Sequence, residues 1–235
     1  MSEKLDEAAL ERIAEAAAEV VNCIRVLEKS GSNLVAEALG GREFVEYNHY
    51  PPDDVYDPET HAQYYFHAHP QTRGEWNDYG HFHTFLRPRG MPSSVRPIAV
   101  NEANSKDGEN DALCHLIAIS MSREGRPVRL FTTNRWVTAE AWYAGEDVIA
   151  MLDRFVVDLS RPSWPLNRWL SAMFVLFQED IKELVMQRDE AVTEWRRAHP
   201  DRDVFEDREL EVTSGKTIDL DRRLFEIRES LNLEA

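Results

Sequence analysis

The sequence predicts an α+β fold: a central antiparallel sheet of about five strands with N- and C-terminal helices packed on it. Three observations predict this. Apolar residues recur near a 3.6 period at both ends of the chain. The middle changes to short runs rich in Phe, Tyr, Val, Ile and Thr, bounded by Pro, Gly and Asp/Asn. Within it, HLIAISMSREGRPVRLFTT reads as a hairpin turning near 123–127. The 235 residues are expected to form one domain, with helices over 1–42, the His-rich sheet over 43–137 and a helical part over 138–235.

Taken in order, residues 5–29 form a helix, with Leu10, Ile13, Ala17, Val20, Val21, Ile24 and Leu27 along one face. Ser30-Gly31-Ser32 ends it, and a short helical turn over 33–39 stops at Gly40-Gly41. Strands are expected at 43–49, 61–69, 79–87, 113–122 and 128–137. Long loops fall at 51–59 and 88–111, lengths that suit binding loops. Thr138 caps a helix to about Phe155. SRPSWP at 160–165 is a rigid break. One long helix over 166–199, about 50 Å at the α-helical rise, can project or pair with a second copy as a homodimer. A turn at Ser214-Gly215 precedes a last amphipathic segment at 220–231.

Composition excludes several classes. A net charge of −16 argues against a nucleic-acid partner. No run approaches 18 apolar residues, so no membrane partner is expected. The acidic N-terminus lacks the features of a signal peptide, and Cys23 and Cys114 form neither a disulfide framework nor a CxxC motif; a reducing cytoplasm is the expectation. Residues 84–136 carry a local excess of Arg and Lys over Asp and Glu. That excess is either a solvated face or a field for an anionic small-molecule substrate.

The chemistry-bearing stretch is YYFHAHPQTRGEWNDYGHFHTF, residues 64–85, which holds four of the eight histidines as two His-x-His pairs. On a strand, i and i+2 share a face, so His67/His69 and His81/His83 can each converge on one ion. Parity adds His61 and Tyr65 to the first pair and Arg87 to the second. His115 is either a hydrogen-bonded core residue or a ligand from a third strand. His49 has no such geometry to recommend it, and His199 suits a helix C-terminus. A carboxylate from Glu75, Asp78, Glu102, Glu109 or Asp111 can complete the site.

Imidazole suits iron, copper or zinc. Two His with a carboxylate would suit non-haem iron, and an all-His set zinc or copper. Haem ligated by one histidine and enclosed by the neighbouring aromatics is the alternative cofactor. The alternative without any cofactor is that the pairs decorate a polar sheet surface. Tyr65 has the parity to reach a metal or substrate, and the Arg87 guanidinium can clamp a carboxylate or phosphate. No GxSxG, P-loop or GxGxxG is present. The expected function is a metalloenzyme, with oxidoreductase chemistry favoured over a zinc hydrolase or lyase, and a non-catalytic metal or haem binder as the reading from another class.

The runs HYPPDDVYDPETHAQYYFHAHP, GHFHTFLRP, HLIAISM and LFTTNRWVTAEAW together resemble an uncharacterised bacterial family of unknown function over residues 45–180. The resemblance implies a HxH…HxH…H pattern, matched by His67, His69, His81, His83 and His115, and brings no reaction with it. Three His on adjacent strands are similar in geometry to the zinc site of animal-type carbonic anhydrases, and HxH recurs in cupins. The wider motifs of both families are missing, so no roles transfer.

Overall fold

A computed structural model describes residues 7–69, 78–100 and 110–231. It is α+β: one antiparallel sheet with helices from both ends of the chain. The N-terminal helix α1 (Glu7–Lys29) and the turn-length α2 (Leu34–Leu39) follow the sequence expectation. Asn33 caps α2 by accepting from Ala36 N–H, and Gly40 closes it in the left-handed region.

The sheet has six strands rather than about five: β1 (Tyr50–Tyr56), β2 (Ala62–His67), β3 (Gly80–Leu86), β4 (Cys114–Met121), β5 (Pro127–Thr133) and β6 (Val212–Thr217), lying side by side in that order. The expected interior strands at 61–69, 79–87, 113–122 and 128–137 are present, somewhat shorter. Both edge strands depart from expectation. Residues 43–49 form no strand, and the strand begins where Pro51-Pro52 suggested a loop. Proline lacks the ladder donor and is tolerated at an edge. β1 is also irregular: Tyr50 pairs with Phe66 and Val55 with Tyr64, so four residues of β1 face one of β2. β6 carries the Ser214-Gly215 pair read as a turn; it pairs with β5 as the opposite edge.

The C-terminal helices also differ. The helix expected over 138–155 is replaced by α3 (Arg135–Thr138) and α4 (Gly145–Met151). The long helix expected over 166–199 is broken into α5 (Trp164–Leu176) and α6 (Gln178–Ala198) at Phe177, whose φ of −113° and ψ of 24° leave the helical region. The break falls where the sequence turns from all-round apolar (LSAMFVLF) to a single stripe. α5 lies along α1, and α6 lies on β6 and β5. α7 (Leu220–Ser230) follows, capped by Asp219. Among the described residues, no helix is long and apolar enough to cross a membrane.

The two faces of the sheet differ in chemistry. Tyr64, Phe66, Phe82, Leu86, Ile117 and Ile119 point into the main core, all fully buried. Each such side chain contributes about 1.5–3 kcal/mol by burial. The Tyr64 hydroxyl reaches Asn167 of α5 at 2.5 Å, so this face is tied to the helices. The opposite face of the same strands carries the histidines.

Candidate metal centre

His67 of β2 stands directly opposite His81 of β3, and Tyr65 opposite His83. Across β3, His81 faces Ser120 and His83 faces Ala118, and these small partners leave room for the rings. Gly80 lets β3 approach closely here. A Cβ on it would lie 2.5 Å from the Phe66 ring and 2.7 Å from the His67 carbonyl oxygen.

His115 reaches this face through an irregularity in β4. Plain alternation would align it with Ile117 and Ile119, toward the core. The register instead runs Phe85 to His115 and Thr84 to Ile117, leaving Leu116 as an extra residue. This β-bulge turns His115 to the face of Phe85 and His83, while Cys114, Leu116, Ile117 and Ile119 stay in the core. Two buried side chains serve the backbone at the bulge. Glu140 accepts the His115 N–H at 2.6 Å. Thr84 donates to the Ile117 carbonyl at 2.6 Å and accepts from its N–H at 3.3 Å.

The imidazoles form a hydrogen-bonded set. His67 Nε2 and His81 Nε2 are 2.8 Å apart. His83 Nδ1 and His115 Nε2 are 3.0 Å apart. Asp78 Oδ2 takes His81 Nδ1 at 3.2 Å. His83 Nε2 is buried with no hydrogen-bond partner. One nitrogen from each of His67, His81 and His83 lies within 4.8 Å of the others, and all three residues are buried. A tetrahedral ion bound at 2.0–2.1 Å needs nitrogens about 3.3 Å apart, so modest side-chain rotation brings the three together. Among the described residues, this buried triad is the group able to hold a metal ion.

Electrostatics favour neutral rings. Burial, reinforced by His81, His69 and His49, pushes His67 down to about 2. Complete burial, with His81 and His115 adding to it, pushes His83 well below its ordinary value. Burial and then the Arg188 guanidinium lower His115 to about 3. Burial raises Tyr65, with Asp54 and Glu140 adding to it, so its phenol stays protonated. Burial raises Glu140 to about 8 against the opposing pull of Arg188. Neutral imidazole is the ligating form.

The remaining candidates are placed as follows. His69 follows β2, half-buried, its ring 4.8 Å from that of His67 and 5.3 Å from that of His81. Tyr65 packs against His67 and His83 at 5.3 Å each, and Phe131 against His81 at 5.2 Å. His61 stands apart. Its φ of 64° breaks the alternation before β2, and Nδ1 lies 2.5 Å from the Tyr56 hydroxyl. Arg87 shares the face but lies about 13 Å along β3 from His83 at the usual strand rise. It is held by Gln63 at 2.7 Å, the Asn110 carbonyl at 3.1 Å and Asp111 at 3.4 Å. Asp78 and Asp111 are thus engaged by His81 and Arg87; Glu75, Glu102 and Glu109 lie outside the described residues. Sequence reasoning missed Glu140, for which no spacing gives a signal. It also set aside His49, whose ring stacks on Tyr65 at 3.6 Å and meets His67 edge-on at 5.8 Å. The nearby Pro51-Pro52 hid it.

Fold and site define a class: an α+β protein whose antiparallel sheet buries a three-histidine cluster able to bind a metal ion. Within that class the chain belongs to the family of a domain of unknown function (DUF6969), whose model matches residues 14–218. That agrees with the resemblance to an uncharacterised family. Comparison with curated proteins and with solved structures gives no match.

Proposed function

We propose that the chain is a metal-dependent enzyme in which His67, His81 and His83 hold one transition-metal ion. The observation that carries this reading is His83 Nε2, buried without a partner among imidazoles kept neutral by burial. Three protein ligands leave a coordination position for a substrate or water. The support for iron weakens, because the described carboxylates Asp78 and Asp111 are engaged elsewhere. An all-imidazole set suits copper or zinc. Rings packed 4.6–5.0 Å apart suit an ion better than a haem.

Copper redox chemistry on a small, anionic substrate is the lead reading. The neutral phenol of Tyr65 stands beside the ligands, and Arg87 offers a cation farther along the same face. A zinc hydrolase or lyase is the second reading. The Asp78–His81 contact favours it, since a carboxylate on the second nitrogen is the usual support of a zinc-bound imidazole, and zinc would lower the pKa of bound water. A non-catalytic binder is the third, favoured if His69 closes the fourth position.

Elemental analysis with absorption and electron paramagnetic resonance spectra of the purified protein tests all three. The expected result is one ion per chain, lost when His67, His81 and His83 are replaced together by Ala. A chain that carries no ion and takes up neither copper nor zinc overturns the reading.

A further inference from the structure

A cleft of about 510 Å³ opens beside the histidine face, lined in part by Arg42, Tyr47, Asn48, His49 and Pro52. Its wall is built rather than loose. The Tyr50 hydroxyl accepts the Val45 N–H at 2.6 Å and donates to the Glu43 carbonyl at 2.7 Å, and Tyr47 N–H donates to the Ala68 carbonyl at 2.9 Å. His49 is the inner wall, with 40 % of its side chain exposed. Behind it stand Tyr65, stacked on it within 8° of parallel, and His67.

The His49 ring is fixed in orientation and tautomer. Asp54, whose φ of 55° is left-handed, sits in the irregular part of β1 and meets His49 Nδ1 at 2.9 Å. The other Asp54 oxygen accepts from Gln63 Nε2 at 2.7 Å, and Gln63 Oε1 accepts from Arg87 Nε at 2.7 Å. A carboxylate only accepts, so Asp54 selects the tautomer with the proton on Nδ1, in which Nε2 offers a lone pair. Asp78 imposes the same order on His81. A left-handed non-glycine residue kept in place by such a chain is the sort of strain found at binding sites.

We propose that this cleft admits the substrate to the histidine site, and that His49 Nε2 accepts a hydrogen bond from an O–H or N–H group on the incoming molecule. The substrate class is then a small metal-ligating molecule that also carries a hydrogen-bond donor. This inference rests on the metal reading above.

The test uses full-length protein loaded with one equivalent of Cu²⁺ and two probes followed in the copper absorption bands. Acetohydroxamic acid ligates through oxygen and carries an N–H donor; azide ligates with no donor. His49→Phe keeps an aromatic ring over Tyr65, and Asp54→Asn can donate to Nδ1 and so turn Nε2 into a donor. Either variant is expected to bind acetohydroxamic acid about tenfold more weakly, one lost hydrogen bond, with copper content and azide affinity unchanged. Should His49→Phe fail to fold, Asp54→Asn decides. Unchanged hydroxamate affinity with copper bound overturns this inference alone, and so does an equal loss for both probes. A wild-type protein that takes up no copper overturns the metal reading and this one with it.

Discussion

His83 Nδ1 and His115 Nε2, from neighbouring strands, lie 3.0 Å apart in the interior. For His83 Nε2 to offer a lone pair, Nδ1 must be the donor and His115 the acceptor. His115→Phe removes that acceptor. The expected result is a chain that folds and binds its ion 10–100-fold more weakly, the usual cost of losing a ligand's outer partner. Competition with a chelator of known affinity measures it; unchanged affinity would show that His115 does not set the His83 tautomer.

Asp78→Ala tests the corresponding support of His81. A similar 10–100-fold loss in metal affinity is expected. Because the two supports act on different ligands, the double variant tells whether they add.

Acid should destabilise the metal-free protein steeply. Folded His67 and His115 are held at about 2 and about 3, and His83 lies well below the ordinary value. In the unfolded chain each titrates near 6.5. Below that pH the unfolded state binds more protons, so stability is full above 6.5 and lost as pH falls toward the folded values. Between pH 5.5 and 4.5 the loss approaches roughly 4 kcal/mol per pH unit with all three rings neutral. Urea midpoints at pH 7, 5.5 and 4.5 check it. A flat profile would mean that the three rings are not buried as neutral groups.

Glu140 acts in the opposite direction. Its folded value of about 8 lies above the ordinary carboxyl range, so its contribution is full at low pH and lost as pH rises toward 8. Glu140→Gln keeps an acceptor for the His115 N–H without ionising, and its stability should fall less between pH 5 and 8. Glu140→Ala leaves that buried N–H unpaired, at a cost of about 1–3 kcal/mol. Thermal melts across this range separate the two variants, and parallel pH profiles for wild type and Glu140→Gln would contradict the assignment.

Gly80→Ala places a methyl group against the Phe66 ring and the His67 carbonyl. Overpacking of this kind costs about 1–3 kcal/mol. Because β2 and β3 must part to admit the methyl group, metal affinity should fall along with the melting temperature. A variant that loses stability and keeps full affinity would show that the His67–His81 pairing tolerates the displacement.

The sequence made the interior of the sheet legible because those strands alternate and carry β-branched and aromatic residues. His67, His81 and His83 followed from parity alone. The edges did not follow, because β1 starts with two prolines and β6 contains Ser-Gly. Both patterns argue against strand, and only pairing with a neighbour makes them strands. Parity failed wherever the backbone departs from the pleat. It placed His61 on the site face, although a left-handed residue breaks the alternation there. For His115 the sequence left core residue and third-strand ligand open, and the bulge that turns it to His83 carries no signal in the residue pattern. The helix boundary at Phe177 was hidden because the apolar stripe continues through it.

The bulge has a further consequence. A pleated strand has a reading frame of two, and Leu116 is the single inserted letter that shifts it. Deleting Leu116 would leave a regular strand with His115 next to Ile117 and so still on the histidine face, whereas flattening the bulge with Leu116 in place would turn His115 into the hydrocarbon interior and bring Leu116 to that face. The inventory of groups available to the site is therefore governed in part by whether one leucine is looped out of the ladder, and so by the Glu140 and Thr84 side chains that bond the backbone on either side of it.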